Sequence, residues 1–423
     1  MYKTHSKIVK VGSKIPVSEN RTVINLTVRG TSFPDRYIGG TAFTIISSGT
    51  QVMHIDYMDG TGVHDTNLIN GTNNIQLNTY YYKDLEDPTK IGTIDPTYMQ
   101  ERTIRIWFDY PYRITTFLIQ NFGLYGDFPR NIGNYNLNAL TFSQVYSLEN
   151  FPTVFRGGNW TLLVLNNLSS IKPTVLPDWI GLSRISTLRL QNVFNLSGSP
   201  ASTNVNSLSK VKDLKNLYLL TNSMGNNSFP TTLKDITTLE NLYVNGNPFT
   251  IFPSAIGDCQ QLKALVISDN TGAFGFNTTM TSWGAGIGNM TSLVSLTYAT
   301  TTSNFPTTVP TGADTAIVLK NIIVKESYRT SQARTDAFVN NWYDFIVANA
   351  SLVLGNTKFR QMVFDIGNLI STPTLRPSGG ATPTVLVDPP TTPIQKIYYM
   401  CKKYGHMWTI RNLANTGIEI VMP

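Results

Sequence analysis

Few side chains in this sequence have a type and spacing that could do covalent chemistry. Its four histidines, His5, His54, His64 and His406, are far apart, and a carboxylate neighbour stands only beside His64, at Asp65. We find no zinc-ligand spacing, nucleophile elbow, phosphate loop or paired-carboxylate motif. The sequence therefore predicts no catalytic residue, no metal site and no cofactor, and favours a binding or assembly protein over an enzyme.

Three other features with chemical potential have simpler structural interpretations. Asp56 and Asp59 could bind calcium, but the Asp-Gly pair at Asp59 is typical of a tight hairpin turn. Cys259 stands where a small apolar residue is expected, so we interpret it as a buried free thiol; two cysteines do not make a disulfide framework. The glycines of segment 284–288 superficially resemble a nucleotide-binding loop, but no strand precedes them.

Composition sets bounds on the class of protein. The chain has 423 residues, of which 41% are hydrophobic and only 14% are charged, against an average charged share of about 25%. The surface must therefore consist mainly of Thr, Asn, Ser and Gln, which suits a long-lived assembly or an extracellular particle. The net charge of +7 comes from scattered residues, so nucleic-acid binding is not predicted. The N-terminus has no apolar leader and no stretch of about 18 apolar residues occurs, so neither Sec-dependent export nor a membrane span is expected.

A repeated pattern organises the region from about Ile114 to Val324. Each copy has an apolar residue, two variable residues, an apolar residue, one variable residue and a further apolar residue; Leu239–Asn247 and Leu262–Asn270 are the best copies. The copies begin at Ile114, Leu137, Trp160, Ile185, Leu214, Leu239, Leu262, Leu293 and Leu319. Because one such unit cannot bury its own apolar edge, the pattern predicts that neighbouring units stack.

An apolar residue followed by proline recurs behind this template. It occurs at Phe128, Phe151, Leu176, Phe229, Phe252 and Phe305. The segments Phe128–Gly133 and Phe252–Gly257 resemble the FP-x-x-IG segment of plant-type leucine-rich repeats. The resemblance implies a curved solenoid in which each coil contributes one short strand and a convex return. The asparagine after the strand, such as Asn247, is then expected to be buried, with its amide bonded to backbone groups at the bend.

The template also predicts a binding surface on the concave side. Strand side chains alternate, so the residues between the two inner apolar positions point outward. The candidate binding residues are Leu118, Val164, Arg189, Tyr218, Tyr243 and Val266 in the central column, with Asn216, Asn241 and Asn245 beside the tyrosines. Only Arg189 and Lys325 are charged in this column and its two neighbours. Tyr218 and Tyr243 could stack on a sugar or anchor a protein interface; alternatively, the terminal domains of the chain cover the face.

The regions on either side of the repeats predict smaller units. Alternating segments at 22–28, 41–46, 51–56 and 102–108 indicate a β-sandwich, and His54–Gly62 resembles the hairpin of PKD-like sandwiches, with Met58 in place of a family glycine. The tyrosines at 80–82 and at 110 and 112 are expected to cap the first coil.

After the repeats, residues 331–350 predict a helix, and Thr392, Pro393 and Gly405 predict the start and end of another. Two insertions, 197–207 and 272–286, are either recognition loops or tolerated surface loops.

The predicted fold class is therefore α+β with repeats. It comprises an N-terminal β-sandwich (1–112), a curved leucine-rich-repeat solenoid (113–328), a C-terminal cap (329–368), a Pro-rich linker (369–392) and a small docking unit of helix and strand (393–423). The combination resembles a bacteriophage virion component, an appendage or fibre-associated protein that recognises a host surface. It is also similar to bacterial surface adhesins, and a glycan-depolymerising enzyme is a third class. The partners implied are other virion proteins or a host-surface protein or glycan, within an oligomeric assembly.

Overall fold

The structure is a computed structural model, and it describes part of the chain. The described residues are 23–29, 43–56, 62–75, 101–120, 125–127, 129–143, 147–150, 159–168, 178–195, 206–226, 229–268, 283, 286–300, 307–309, 321–326, 332–351, 363–368 and 383–411. The hairpin turn at Asp59, His5, the tyrosines at 80–82 and most of the insertions at 197–207 and 272–286 lie outside these residues.

The described residues are mainly β-strands. In chain order the strands are β1 (Ile24–Arg29), β2 (Phe43–Ser47), β3 (Gln51–Asp56), β4 (Val63–Leu68), β5 (Gly71–Ile75), β6 (Glu101–Phe108), β7 (Ile114–Gln120), β8 (Tyr125–Asp127), β9 (Ala139–Ser143), β10 (Ser147–Asn150), β11 (Asn159–Asn166), β12 (Arg184–Gln191), β13 (Asn216–Leu220), β14 (Asn241–Tyr243), β15 (Ala264–Ser268), β16 (Ser295–Thr300), β17 (Asn321–Glu326), β18 (Val363–Asn368) and β19 (Met407–Arg411). The α-helices are α1 (Asp178–Gly181), α2 (Ser254–Gly257), α3 (Gln332–Ala348) and α4 (Pro393–Tyr404).

One large mixed sheet contains strands from every region of the chain. Its thirteen strands run in the order β19-β18-β17-β16-β15-β14-β13-β12-β11-β9-β7-β2-β5. From β7 to β19 neighbouring strands are parallel, whereas β2 is antiparallel to both β5 and β7. A second sheet has the order β1-β6-β3-β4 with antiparallel pairs, and β8 and β10 form a short parallel pair.

Alternation along each strand divides the large sheet into a buried and an outward face. Leu188, Leu217, Leu242 and Leu265 stand opposite one another in consecutive strands and are fully buried. The residues that follow each of them are only half-buried. Because side chains on a strand point alternately to opposite sides, the leucines form the core and their successors share the outward face.

A left-handed residue ends the strand at equivalent positions of four consecutive copies. Asn167, Asn192, Thr221 and Gly246 have φ values of 51°, 51°, 56° and 70°. Asparagine and glycine tolerate this conformation, but a β-branched residue such as threonine adopts it only under strain. The repeated turn brings the chain off the sheet in the same direction each time.

Buried asparagines hold the bends that follow two of these turns. The Asn247 side-chain oxygen accepts hydrogen bonds from the backbone N–H groups of Asn222 and Met224 at 3.0 and 3.1 Å, and its amide nitrogen donates to the carbonyl oxygens of Leu219 and Val244. The expected role of Asn247 is therefore confirmed. Asn222 does the same one copy earlier, because its side-chain oxygen accepts from the backbone N–H of Val193 at 3.1 Å.

Short helical segments lie between the described strands. They are single-turn helices α1 and α2 and 3₁₀ helices at Pro111–Arg113, Arg130–Asn134, Asn206–Lys210, Thr231–Asp235 and Ile287–Asn289. Two of these segments touch without side chains between them: a Cβ atom built on Gly286 would lie 2.9 Å from the Cα atom of Gly257. Glycine at both positions is therefore a requirement of packing, which explains a glycine of segment 284–288 without a nucleotide.

The C-terminal helices pack on the buried face of the large sheet. Thr392 caps the N-terminus of α4, because its side chain accepts from the backbone N–H of Gln395 in a capping box, and the left-handed Gly405 caps the C-terminus, as predicted. Helix α3 matches the helix predicted for 331–350. The ring of Trp408 on β19 is fully buried and meets the Phe338 ring of α3 edge-to-face, with 6.2 Å between centroids. The tertiary structure therefore ties α3 and α4 to the end of the sheet.

The predicted fold class is wrong. The structure is mainly β, with one mixed sheet of thirteen strands and few helices, and the described residues do not form the closed coils of a solenoid. The first predicted unit is not a separate β-sandwich, because β2 and β5 belong to the large sheet. The last is not a tethered unit, because β19 pairs with β18 and the buried apolar residues from Ile24 to Trp408 form one cluster. Hydrophobic alternation marks strands, but it does not say which strands pair.

Candidate functional site

The outward face of the large sheet is organised as a column of residues that pair across consecutive strands. Val164, Arg189, Tyr218, Tyr243 and Val266 stand opposite one another in β11 to β15. All five are half-buried, whereas the residues on either side of them in the strands β12 to β14 point to the core. We term this surface, from Leu118 to Val266 with its neighbouring columns, the open face.

The column continues beyond the repeated template. Leu118 on β7 pairs with Thr44 on β2, and Thr44 pairs with Asn74 on β5. The Thr44 hydroxyl donates to the Asn74 side-chain oxygen at 2.9 Å. Strands close to the N-terminus therefore extend the same face, which sequence reasoning missed because it assigned them to a separate unit.

The structure brings the nine sequence-predicted site residues onto one surface. The central column holds Leu118, Val164, Arg189, Tyr218, Tyr243 and Val266, the column beside it holds Asn216 and Asn241, and Asn245 follows β14. Each of these side chains is half-buried. Helices α3 and α4 contact the buried face of the sheet at its β19 end. Helix α1 contacts the sheet through the buried Trp179, whose ring meets that of the buried Trp160 on β11 edge-to-face.

Tyr218 and Tyr243 form a closed pair at the centre of this surface. Their rings are parallel, with 4.1 Å between centroids and 4° between planes. Burial raises the pKa of Tyr218 above its usual value, and a hydrogen bond with Tyr243 raises it further, whereas the charge of Arg189 lowers it. The Tyr218 hydroxyl is therefore protonated at neutral pH. The facing sides of the two rings cover each other.

A chain of side-chain amides lies beside the tyrosines. The Asn241 amide nitrogen donates to the Asn216 side-chain oxygen at 2.6 Å, and the Asn216 amide donates to the Thr187 hydroxyl at 3.1 Å. In the column on the other side, the Asn166 amide donates to the Ser143 hydroxyl at 3.1 Å. These polar groups are held in place before any ligand arrives, which lowers the entropic cost of binding.

Arg189 is the single charged residue among the open-face side chains that the structure describes. Its Nε atom donates to the side-chain oxygen of Gln191 at 3.2 Å, and Nη2 donates to the same oxygen. Within the described part of the chain, no carboxylate lies within ion-pair distance of this guanidinium. The open face therefore combines aliphatic groups, two hydroxyls, several amides and one unneutralised positive charge.

The residues suspected of chemistry are not assembled into a reactive centre among the described ranges. His406 is buried, His64 is exposed on β4, and burial raises the pKa of the Cys259 and Cys401 thiols to about 12. No group of three or more His, Cys, Asp or Glu side chains within those ranges is placed to hold a metal ion. Thiols with such a pKa are protonated at neutral pH and are weak nucleophiles.

One titratable cluster was missed by sequence reasoning. The His54 ring lies between two carboxylates, with Nδ1 2.7 Å from an oxygen of Asp65 and Nε2 2.9 Å from an oxygen of Asp109, and it stacks on Trp107 at 5.3 Å. Burial lowers the pKa of His54, but hydrogen bonds to Asp109 and Asp65 outweigh that effect and raise the pKa above 6.5. The signal was available only through the register of β3 and β4, which puts His54 opposite Asp65 rather than His64 beside it.

No family model matches the chain, and no curated protein sequence matches it either. Within the helices that the structure describes, none combines the length and apolar character that crossing a lipid bilayer requires.

Proposed function

We propose that this chain is a non-enzymatic binding protein whose open face docks a protein partner. The observation that carries the proposal is the open face itself: a continuous, almost uncharged column of side chains that are half-buried except for the buried Thr141, with a tyrosine pair at its centre. Surfaces of this kind are energetically favourable to cover, and tyrosine is among the residues that most often dominate interface energies.

The geometry of the tyrosine pair favours a protein over a glycan as the ligand. A sugar binds aromatic residues by lying flat on a ring face. The facing sides of Tyr218 and Tyr243 cover each other, and their outer sides adjoin Arg189 and Val266, one strand spacing of about 4.8 Å away. The pair therefore presents ring edges and hydroxyls, which suit the side chains and backbone groups of a protein.

We also propose a place for the protein, as a virion component that takes part in host-surface recognition or in contacts with other virion proteins. The support is compositional: charged residues make up 14% of the chain, which suits a long-lived particle. Mass spectrometry of purified particles from the organism that encodes the chain tests this part. Its absence from such particles, with presence on a cell surface, would instead favour an adhesin.

The binding role is tested by replacing both tyrosines. Because interface hot spots contribute about 2 kcal/mol or more each, the double variant Tyr218→Ala with Tyr243→Ala is expected to weaken retention of selected peptide ligands by about 1,000-fold. The probe is a displayed library of random peptides, selected on the full chain. Tyr112→Ala, which removes an exposed tyrosine away from the open face, is the matched control. If the double variant retained the peptides as well as the wild type does, the open face would not be the binding site.

A further inference from the structure

The environment of Arg189 identifies the chemistry of the group that docks on the open face. Arg189 adjoins Tyr218 in the central column, because Arg189 pairs with Tyr218 across β12 and β13. Paired strands lie about 4.8 Å apart, so a partner that covers the tyrosine pair also covers the guanidinium. Covering a charge without a compensating partner is strongly unfavourable, because the charge loses its hydration.

The side-chain contacts of Arg189 leave most of its donors available. A guanidinium has five N–H groups, and Nε and Nη2 donate to the single oxygen of Gln191. That contact fixes the orientation of the planar group without neutralising it, since Gln191 is uncharged. Nη1 and the second N–H of Nη2 remain for a ligand, and together they match the two oxygens of a carboxylate.

We propose that Arg189, oriented by Gln191 and flanked by Tyr218, is a carboxylate-binding subsite, and that the open face selects a protein segment with an Asp or Glu set between apolar side chains. This inference rests on the proposed function. The carboxylate of the ligand supplies the negative charge that the described residues next to Arg189 lack. The apolar neighbours in the ligand match Val164 and Val266, which lie on either side of the charged and aromatic residues in the column.

Peptide selection on the full chain tests the subsite. Random displayed peptides are selected on the wild type and then compared for binding to Arg189→Gln, Arg189→Lys and the double tyrosine variant. The expected result is a consensus with one acidic residue between apolar residues, bound about 10-fold or more weakly by Arg189→Gln. Arg189→Lys should recover part of the loss, because it restores the charge but not the fork of donors.

The ligand side of the same experiment does not depend on how the variants fold. Replacing the acidic residue of a selected peptide by Gln or Asn should weaken binding to the wild-type chain by about the same factor. Equal binding of the acidic and amide peptides would overturn the subsite.

The outcomes distinguish a failure of the carboxylate subsite from a failure of the proposed binding function. Peptides without an acid, whose binding needs the tyrosines but not Arg189, would overturn the carboxylate subsite and leave the binding face intact. Peptides insensitive to both sets of variants, or no selected peptide, would count against both. The chain can instead be probed on a glycan array. Binding of acidic glycans that requires Arg189, together with no binding of peptides, would overturn the assignment to a protein segment.

Discussion

At the scale of single residues, the charge of His54 and the backbone strain of Thr221 should each have a measurable effect on stability. His54 is the clearest titratable case, because both of its ring nitrogens lie within hydrogen-bond distance of carboxylate oxygens. Both contacts are satisfied only when the ring is protonated, since a neutral imidazole has a single N–H. Asp109 lies at the end of β6, in the crossing from the four-stranded sheet to the large sheet, where its backbone N–H donates to the Val52 carbonyl at 3.1 Å. The cluster therefore joins β3, β4 and the end of β6 within the four-stranded sheet.

The stability contributed by His54 should depend on pH. Because its pKa is raised on folding, the contribution is fully present below the unfolded value of about 6.5 and is lost as pH rises through the folded pKa. We expect the melting temperature of the wild type to exceed that of His54→Gln at about pH 5.5, below the unfolded histidine pKa, and the difference to shrink at higher pH. Thermal melts of both proteins across this range measure the effect. A difference that grows with pH would contradict it.

Replacing Thr221, whose backbone is left-handed, should stabilise the fold. Its φ of 56° strains a β-branched residue, and its buried hydroxyl has no hydrogen-bond partner among the described residues. Asparagine occupies the equivalent positions 167 and 192. We expect Thr221→Asn to stabilise the fold by about 1 kcal/mol, the lower end of the cost of such strain, as measured by chemical denaturation. The reverse change Asn192→Thr is the matched control and should destabilise; no gain from Thr221→Asn would mean that the backbone there is relaxed.

At the scale of elements, the strands and the segments between them have separate requirements. Each strand from β12 to β14 places leucines in the core and its outward residues on the open face. The bends depend on left-handed residues and on Asn222 and Asn247, whose amides replace the backbone partners that the chain loses as it leaves the sheet. The segments behind the sheet depend on close backbone contact, and glycine permits this contact.

The contact between Gly257 and Gly286 should tolerate no side chain. A Cβ atom at Gly257 would clash with backbone atoms of Gly286, and backbone cannot move aside as a flexible side chain can. We expect Gly257→Ala to destabilise the fold by about 2 to 3 kcal/mol, at the upper end of the overpacking range. Gly225→Ala is the control, because a Cβ atom there would meet nothing within 4 Å. Denaturation midpoints of both variants give the comparison, and equal values would show that the two segments separate readily.

For the whole molecule, the central feature is that one sheet joins regions that look independent in the sequence. The strand order places β2 and β5 at one end of the large sheet and β18 and β19 at the other. The buried residues form a single cluster. The open face is correspondingly longer than the repeated template alone predicts.

The integration of the C-terminal region can be tested through Trp408. This ring is fully buried against Phe338 of α3, so Trp408→Ala should destabilise the chain by about 3 to 5 kcal/mol, as large-to-small core changes do. Denaturation followed by the fluorescence of the remaining tryptophans reports the effect on the whole chain. Met407→Ala, the adjacent change at a partly exposed residue, is the control. A separately tethered unit would melt on its own and leave the main transition unchanged.

The sequence by itself determined the positions of the strands β7, β9 and β11 to β17 in the repeated pattern, their alternation of buried and outward residues, the buried role of Asn247 and the ends of α4. These features depend on residues close together in the chain, where periodicity and capping act directly. Only the tertiary structure decided that β2, β5 and β19 join the large sheet, that the Tyr218 and Tyr243 rings cover each other, and that His54 meets Asp109. Strand partners and side-chain contacts across the fold depend on which distant surfaces bury each other best, and local pattern does not contain that information.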